Sequence, residues 1–202
     1  MNIYTFCPRD RFGSNTYLIE IDGEYAVIDP SVDYETVRLS HDSIDGKVKF
    51  ILLTHAHFDH MLAIDSWAEQ CQNVYVGTRD AAALSDSYLN CYLGFMGVRD
   101  GYFGKYSTVG EGDILELGGE RITVIDCPGH TPGGVSYRIG DSLFVGDTAF
   151  AGGGYGRCDL PGGDIDALEK TLIRLITRER EATLYPGHGP STTLTELIHH
   201  FR

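Results

Sequence analysis

The densest chemistry in the 202-residue sequence is His55-Ala-His57-Phe-Asp59-His60, which directly follows the apolar run Phe50-Ile-Leu-Leu53. Three of the eight histidines and an aspartate fall within six positions, too tight a grouping for a chance polar loop. Imidazole nitrogen and carboxylate oxygen are good donors for zinc and similar divalent ions. His55 and His57 are two apart, so an extended backbone sets both on one side. Asp59 and His60 fall where the chain turns toward a helix and face a second point. One strand end could thus serve two metals. Three more candidates stand in separate loops: His130 within Cys127-Pro-Gly-His-Thr-Pro132, Asp147 after the apolar run Leu143-Phe-Val145, and His188 within Pro186-Gly-His-Gly-Pro190. A carboxylate at the end of an apolar strand is badly placed for solvation, but is well compensated between cations.

Such residues act together only if several strands end at one place. Thr16–Ile21 and Tyr25–Ile28 flank the turn signal Asp22-Gly23-Glu24, which predicts a hairpin. The same logic pairs Ile114–Leu117 with Arg121–Ile125, and Val135–Ile139 with Ser142–Val145. Val74–Val76 and Thr183–Tyr185 read as further short strands, and Phe50–Leu53 as a buried one. Helices are expected over Val32–Leu39, Met61–Cys71 and Ala81–Leu84. Another is capped by Asp164, with Ile165, Leu168, Leu172 and Leu175 on one face, and a last one begins at Ser191 or Thr192. The stretch from Tyr88 to Tyr106 is rich in aromatics and interrupted by Gly94, Gly97, Gly101 and Gly104. It reads as an irregular excursion at the cleft mouth, its rings forming either a substrate wall or ordinary packing under a long loop.

Composition narrows the field. A hydrophobic fraction of 42% is that of an ordinary globular protein, and residues 1–202 read as one domain. The net charge of −13 repels phosphate backbones, so nucleic acid is not an expected partner. The five cysteines are odd in number, scattered and without a Cys-x-x-Cys pair, which points to free thiols in a reducing compartment. The N-terminus has neither a basic region nor a long apolar run, and no run reaches the length of a membrane span. A cytoplasmic protein without membrane attachment, monomeric or homodimeric, is expected.

The His55-to-His60 stretch resembles the His-x-His-x-Asp-His motif of the metallo-β-lactamase superfamily of hydrolases. Pro128-Gly-His-Thr131 and Phe144-Val-Gly-Asp147 extend the resemblance over most of the chain. It implies an αββα fold in the α/β (α+β) class, a sandwich of two mixed β-sheets flanked by helices; spacing alone says only mixed α and β. It also implies a ligand set: His55, His57 and His130 on one metal, Asp59, His60 and His188 on the other, and Asp147 bridging. Asp29, at the end of an early strand, would support the site from behind. The two ions would be zinc first, with iron or manganese also compatible with an all nitrogen-and-oxygen shell. Metal-bound hydroxide would be the nucleophile, with Asp59 as the catalytic residue that orients it. Leu62-Ala63 stands where relatives often carry glycines.

Gly156-Arg-Cys-Asp-Leu-Pro-Gly-Gly-Asp164 is similar to a stretch of glyoxalase II and its relatives, with Cys158 in place of a hydroxyl residue. Arg157 and Asp159 are expected to tie that loop down. The implied activity is hydrolysis of a small-molecule thioester or ester, as in a hydroxyacylglutathione hydrolase. No counterpart of the helical extension that grips glutathione there is expected after His188, where the chief cation is Arg202. A mononuclear iron persulfide dioxygenase, sharing several motifs, is the alternative, as is a hydrolase of another ester or amide.

Overall fold

The computed structural model describes residues 1–8, 12–71, 73–179 and 181–200, and the side chains of these except 198–200. Two six-stranded sheets are stacked face to face. The first runs β1 (Asn2–Phe6), β2 (Thr16–Ile21), β3 (Glu24–Ile28), β4 (Val48–Leu52), β5 (Val74–Gly77), β6 (Ser107–Val109) in spatial order. The second comprises β7 (Ile114–Leu117), β8 (Glu120–Asp126), β9 (Val135–Ile139), β10 (Ser142–Gly146), β11 (Thr183–Pro186) and β12 (Thr192–Thr193), again neighbouring in sequence order. Both sheets are mixed: β3, β4, β5 and β6 are mutually parallel, as are β10 and β11, and the remaining pairs are antiparallel.

Period-two alternation builds the layers. Tyr17, Ile19 and Ile21 of β2 point between the sheets, with Ala26, Ile28, Leu52, Val124, Tyr137 and Phe144. The alternate residues Leu18, Tyr25, Val27 and Ile51 point outward, under α1 (Tyr34–Arg38) and α2 (Ile64–Ala68), where Trp67 is fully buried. On the far side, Leu143 and Val145 face α4 (Ile165–Arg178) and α5 (Leu194–His200). A further short helix, α3 (Tyr92–Met96), lies in the excursion beyond β5. The αββα sandwich expected from the resemblance is therefore the architecture.

The three hairpins expected from turn signals are present. At the β2–β3 turn Asp22 and Gly23 both take positive φ (48° and 78°), the pairing a two-residue hairpin turn requires. Other expectations need adjustment. The helix after the histidine run is shorter, a 3-10 turn at Phe58–His60 followed by α2, because the chain first serves the site and then closes over the sheet. In α4, Leu168, Leu172 and Leu175 are buried, but Ile165 is 43% exposed; Thr171 takes the fourth inward place. The final helix starts at Leu194, since Thr192–Thr193 first pairs with Thr183–Leu184. Strands β1, β6 and β12 were not foreseen; each lies at a sheet edge. Arg202 lies outside the described residues.

Candidate metal centre

The parallel arrangement aims strand ends at one rim. Strands β4, β8, β10 and β11 deliver, just past their C-terminal ends, His55 to His60, His130, Asp147 and His188. Ligand sites outside the carboxyl ends of parallel strands are the general rule in open α/β sheets. The two sheets are laced there by Val135 donating to the Thr54 carbonyl (2.8 Å) and Asn15 donating to the Gly187 carbonyl (2.7 Å).

All seven expected residues converge. Ring nitrogens of His55, His57 and His130 lie within 4.8 Å of one another, and so do the donor atoms of Asp59, His60 and His188. His57 Nδ1 and His130 Nε2 approach to 2.9 Å, and His188 Nε2 stands 3.1 Å from Asp59 Oδ2. The Asp147 carboxylate lies between the two groups. Its Oδ2 is 3.6 Å from His130 Nε2, and its Oδ1 is 3.2 Å from His60 Nε2 and 3.7 Å from His188 Nε2. One carboxylate is thus within reach of both groups.

The neighbours decide which nitrogen of each ring faces inward. His130 Nδ1 donates to the Arg157 carbonyl (2.7 Å), which turns the Nε2 lone pair toward His57 and the cluster. His60 Nδ1 donates to Asp29 Oδ2 (2.8 Å). Thr54 gives its hydroxyl proton to the same oxygen (2.7 Å), so its own lone pairs receive His55 Nδ1–H (3.2 Å). Partners of this kind fix tautomer and orientation in metal-binding imidazoles. Asp29 is 1% exposed and adopts φ 52°, a left-handed conformation uncommon outside glycine, and it also accepts the Thr54 backbone N–H (2.8 Å). The supporting role expected for Asp29 has this geometry.

A divalent ion fits these residues. His55 Nε2, His60 Nε2 and Asp147 Oδ1 are buried without a hydrogen-bond partner, a costly arrangement that a cation would relieve. Burial, reinforced by His60 and His130, pushes the His55 pKa well below 6.5, and burial with His130 takes His57 down to about 3, so both present lone pairs at neutral pH. Burial also disfavours a charged His60, but Asp29, Asp59 and Asp147 outweigh it and raise its pKa well above 6.5. Burial would raise Asp147; His60, His130 and His188 overcome it and hold the carboxyl well below its usual range.

Close approach explains two glycines. A Cβ on Gly156 would stand 2.2 Å from the Asp147 carbonyl and 2.7 Å from His130 Nδ1, and one on Gly187 would stand 2.2 Å from Asp147 Oδ1. Arg157 and Asp159 form the expected tie, with Nε and Nη2 each 2.6 Å from a carboxylate oxygen.

Three supports were not singled out from sequence. Asp80, 2% exposed, accepts from Gly133 N (2.6 Å), Thr131 Oγ1 (2.7 Å) and Ala56 N (3.2 Å), clamping the His130 loop to the His55 loop. Its signal was available, a carboxylate shortly after an apolar strand, as with Asp29 and Asp147. Asn15 donates to the Pro186 and Gly189 carbonyls (3.1 and 2.9 Å) and so holds both sides of His188. Asn90, fully buried, accepts Phe58 N on its carbonyl (2.9 Å). No local pattern marks either asparagine.

A paired, mostly buried set of imidazoles and carboxylates at the rim of an αββα sandwich defines a metallo-hydrolase scaffold. Residues 9–188 match the metallo-beta-lactamase superfamily, and the chain belongs to that family. It is 32% identical over 191 residues to a probable metallo-hydrolase of Streptococcus pyogenes, covering 90% of this chain and 82% of that one. It is 29% identical over 210 residues to the hydroxyacylglutathione hydrolase GloC of Haemophilus influenzae (96% and 93% covered). Among solved structures, the B3 metallo-beta-lactamase BLEG-1 superposes with a TM-score of 0.87 at 30% identity (98% and 97% covered). A di-iron-bound form of TTHA1623 gives 0.78 at 32% (98% and 97%), and ETHE1 from Myxococcus xanthus 0.76 at 26% (99% and 83%).

Proposed function

We propose that this hydrolase cleaves thioesters of small molecules at a centre of two divalent ions, zinc first, with iron or manganese as substitutes. The observation that carries the metal reading is the convergence of seven donors with three buried donor atoms unpartnered. Support for a thioester comes from the Gly156-to-Asp164 loop and from a relative that is named a hydroxyacylglutathione hydrolase. His55, His57 and His130 would hold one ion and Asp59, His60 and His188 the other, with the Asp147 carboxylate within reach of both groups. Divalent ions held there lower the pKa of water toward neutrality and polarise a carbonyl.

The chain's own residues do the rest. Asp59, 17% exposed at the cleft, accepts a hydrogen bond from an incoming water and aims its lone pair at the acyl carbon. The water oxygen bonds to that carbon, the carbon–sulfur bond breaks, and the thiolate takes up a proton. Acid and thiol are the products. The step needs no serine or cysteine nucleophile.

We also propose a cytoplasmic setting, with small molecules and no nucleic acid or membrane as partners; none of the described helices is long and apolar enough to cross a membrane. The test pairs metal analysis with two assays. Two ions per chain and thioester turnover by the zinc form without oxygen are expected. One iron per chain, with stoichiometric oxygen uptake on glutathione persulfide and no thioester turnover, would replace this reading by the dioxygenase.

A further inference from the structure

Around the metal-binding cluster the cleft is finished by Phe12, Phe58, Phe95, Leu160, Cys91 and Arg157. The aromatics form one continuous wall. Phe58 and Phe95 stack with centroids 5.6 Å apart at 29°, and Phe12 lies 6.5 Å from Phe58. Phe58 stands between His57 and Asp59 in sequence, so the wall begins at the reacting centre. Tyr92 backs it from behind at 5.3 Å.

The wall continues onto α3, which buries none of its residues. Leu93, Phe95 and Met96 there are 37%, 43% and 43% exposed. Leaving three large apolar side chains open to water beside a polar cluster forfeits burial energy unless something apolar covers them. Ligand pockets have this composition, a mostly apolar lining with few polar groups that fix orientation. Among the described residues lining the cleft, Arg157 is the one side chain other than histidine that carries positive charge, and its Nε and Nη2 are already given to Asp159. The lining therefore offers little to an anionic tail and much to a hydrocarbon.

We propose that the substrate carries an alkyl or aromatic group within reach of the scissile carbonyl, and that Phe95, with Phe12 and Phe58, is the surface that selects it. The proposal rests on the hydrolase reading for its site and extends it to a substrate class. Both sides of the thioester are candidates for the apolar group, and the test separates them.

The zinc-loaded full chain is assayed with acetyl, butyryl and hexanoyl thioesters of one small thiol, and with acetyl thioesters of ethane-, butane- and hexanethiol. In one of the two series kcat/KM is expected to rise about twofold to fourfold per methylene. Phe95→Ala flattens that rise, whereas Phe103→Ala, 75% exposed and outside the cleft lining, preserves it. Which series rises tells whether the acyl group or the thiol lies on the wall. Calorimetric titration with acetate, butyrate and hexanoate gives a readout that needs no turnover. Tighter binding with chain length, lost in Phe95→Ala, upholds the wall even if every thioester is refused, and that refusal would count against the thioesterase reading alone. Flat series in both assays, or a rise unchanged in Phe95→Ala, overturns the proposal.

Discussion

The two sides of the cleft are built on opposite plans. On the side of the proposed metal centre, the candidate ligands sit on loops bound across the sheets by buried polar groups: Asp29 links β3 to Thr54 and His60, Asp80 links the His55 and His130 loops, and Asn15 grips the loop of His188. On the aromatic side, α3 has no buried residue of its own and is flanked by left-handed Cys91 (φ 68°) and Gly97 (φ 68°). It is tethered mainly through Asn90, whose side chain accepts Tyr92 N (3.0 Å) and donates to the Asp100 carbonyl (3.1 Å). The difference is what the two chemistries demand. Donor atoms must be held to a fraction of an ångström, while dispersion and hydrophobic contact tolerate adjustment. Rigidity is concentrated where directional bonds are made.

That contrast is open to attack by mutation. The largest effect belongs to Asp147→Ala, which removes the group lying between both donor sets. Metal occupancy and kcat/KM should both fall, the latter by more than about 100-fold, beyond the loss usual for an outer-shell partner. Two metals retained with near-normal turnover would show that Asp147 does not bridge.

Next comes Asp80→Ala, which strands Gly133 N and Ala56 N in a buried setting. A loss of about 3–5 kcal/mol is expected, lowering Tm by roughly 10 °C. An unchanged Tm in a thermal scan would mean that the clamp contributes little. Asp29→Asn is gentler. The amide keeps the shape but offers one oxygen to three donors, Thr54 N, Thr54 Oγ1 and His60 Nδ1. Metal affinity measured by competition with a chelator should fall about 10–100-fold with the fold intact.

On the other side, Asn90→Ala should cost about 2 kcal/mol at most and loosen the excursion before the cluster. Hydrogen exchange should quicken at residues 88–102 and stay slow at the β4 and β10 amides; equal acceleration at both would erase the proposed contrast. The smallest effect is that of Ile165→Ser. Its side chain shares a helical spacing with buried Leu168 and Leu172 yet is 43% exposed, so stability measured by urea unfolding should shift by no more than about 0.5 kcal/mol.

Much of the metal-binding side was legible in the chain. His55, His57, Asp59 and His60 are crowded into one run, and a local run is a signal that spacing can carry. The hairpins followed from Asp22-Gly23 and Gly118-Gly119, because a tight turn constrains φ at the residues that form it. His130, Asp147 and His188 were lone residues in loops. The resemblance to the superfamily joined them into one site, and the structure shows the donors within reach of one another.

What the sequence determined by itself was the inventory: donors free of thiolates, alternating strands enough for two sheets, and loops punctuated by glycine and proline. Tertiary structure alone decided how that inventory is used. Whether Asp80 is a surface turn or a buried clamp depends on Thr131 and Gly133 arriving from 51 and 53 positions away. Within one aromatic stretch, Phe95 lines the cleft while Tyr102 is 4% exposed, its hydroxyl bonded to the Lys105 carbonyl (3.0 Å). The side chains of the stretch give no hint of that division. A hydrogen bond or a ring contact between distant residues is a property of how the sheets stack, and no local pattern in the chain encodes it.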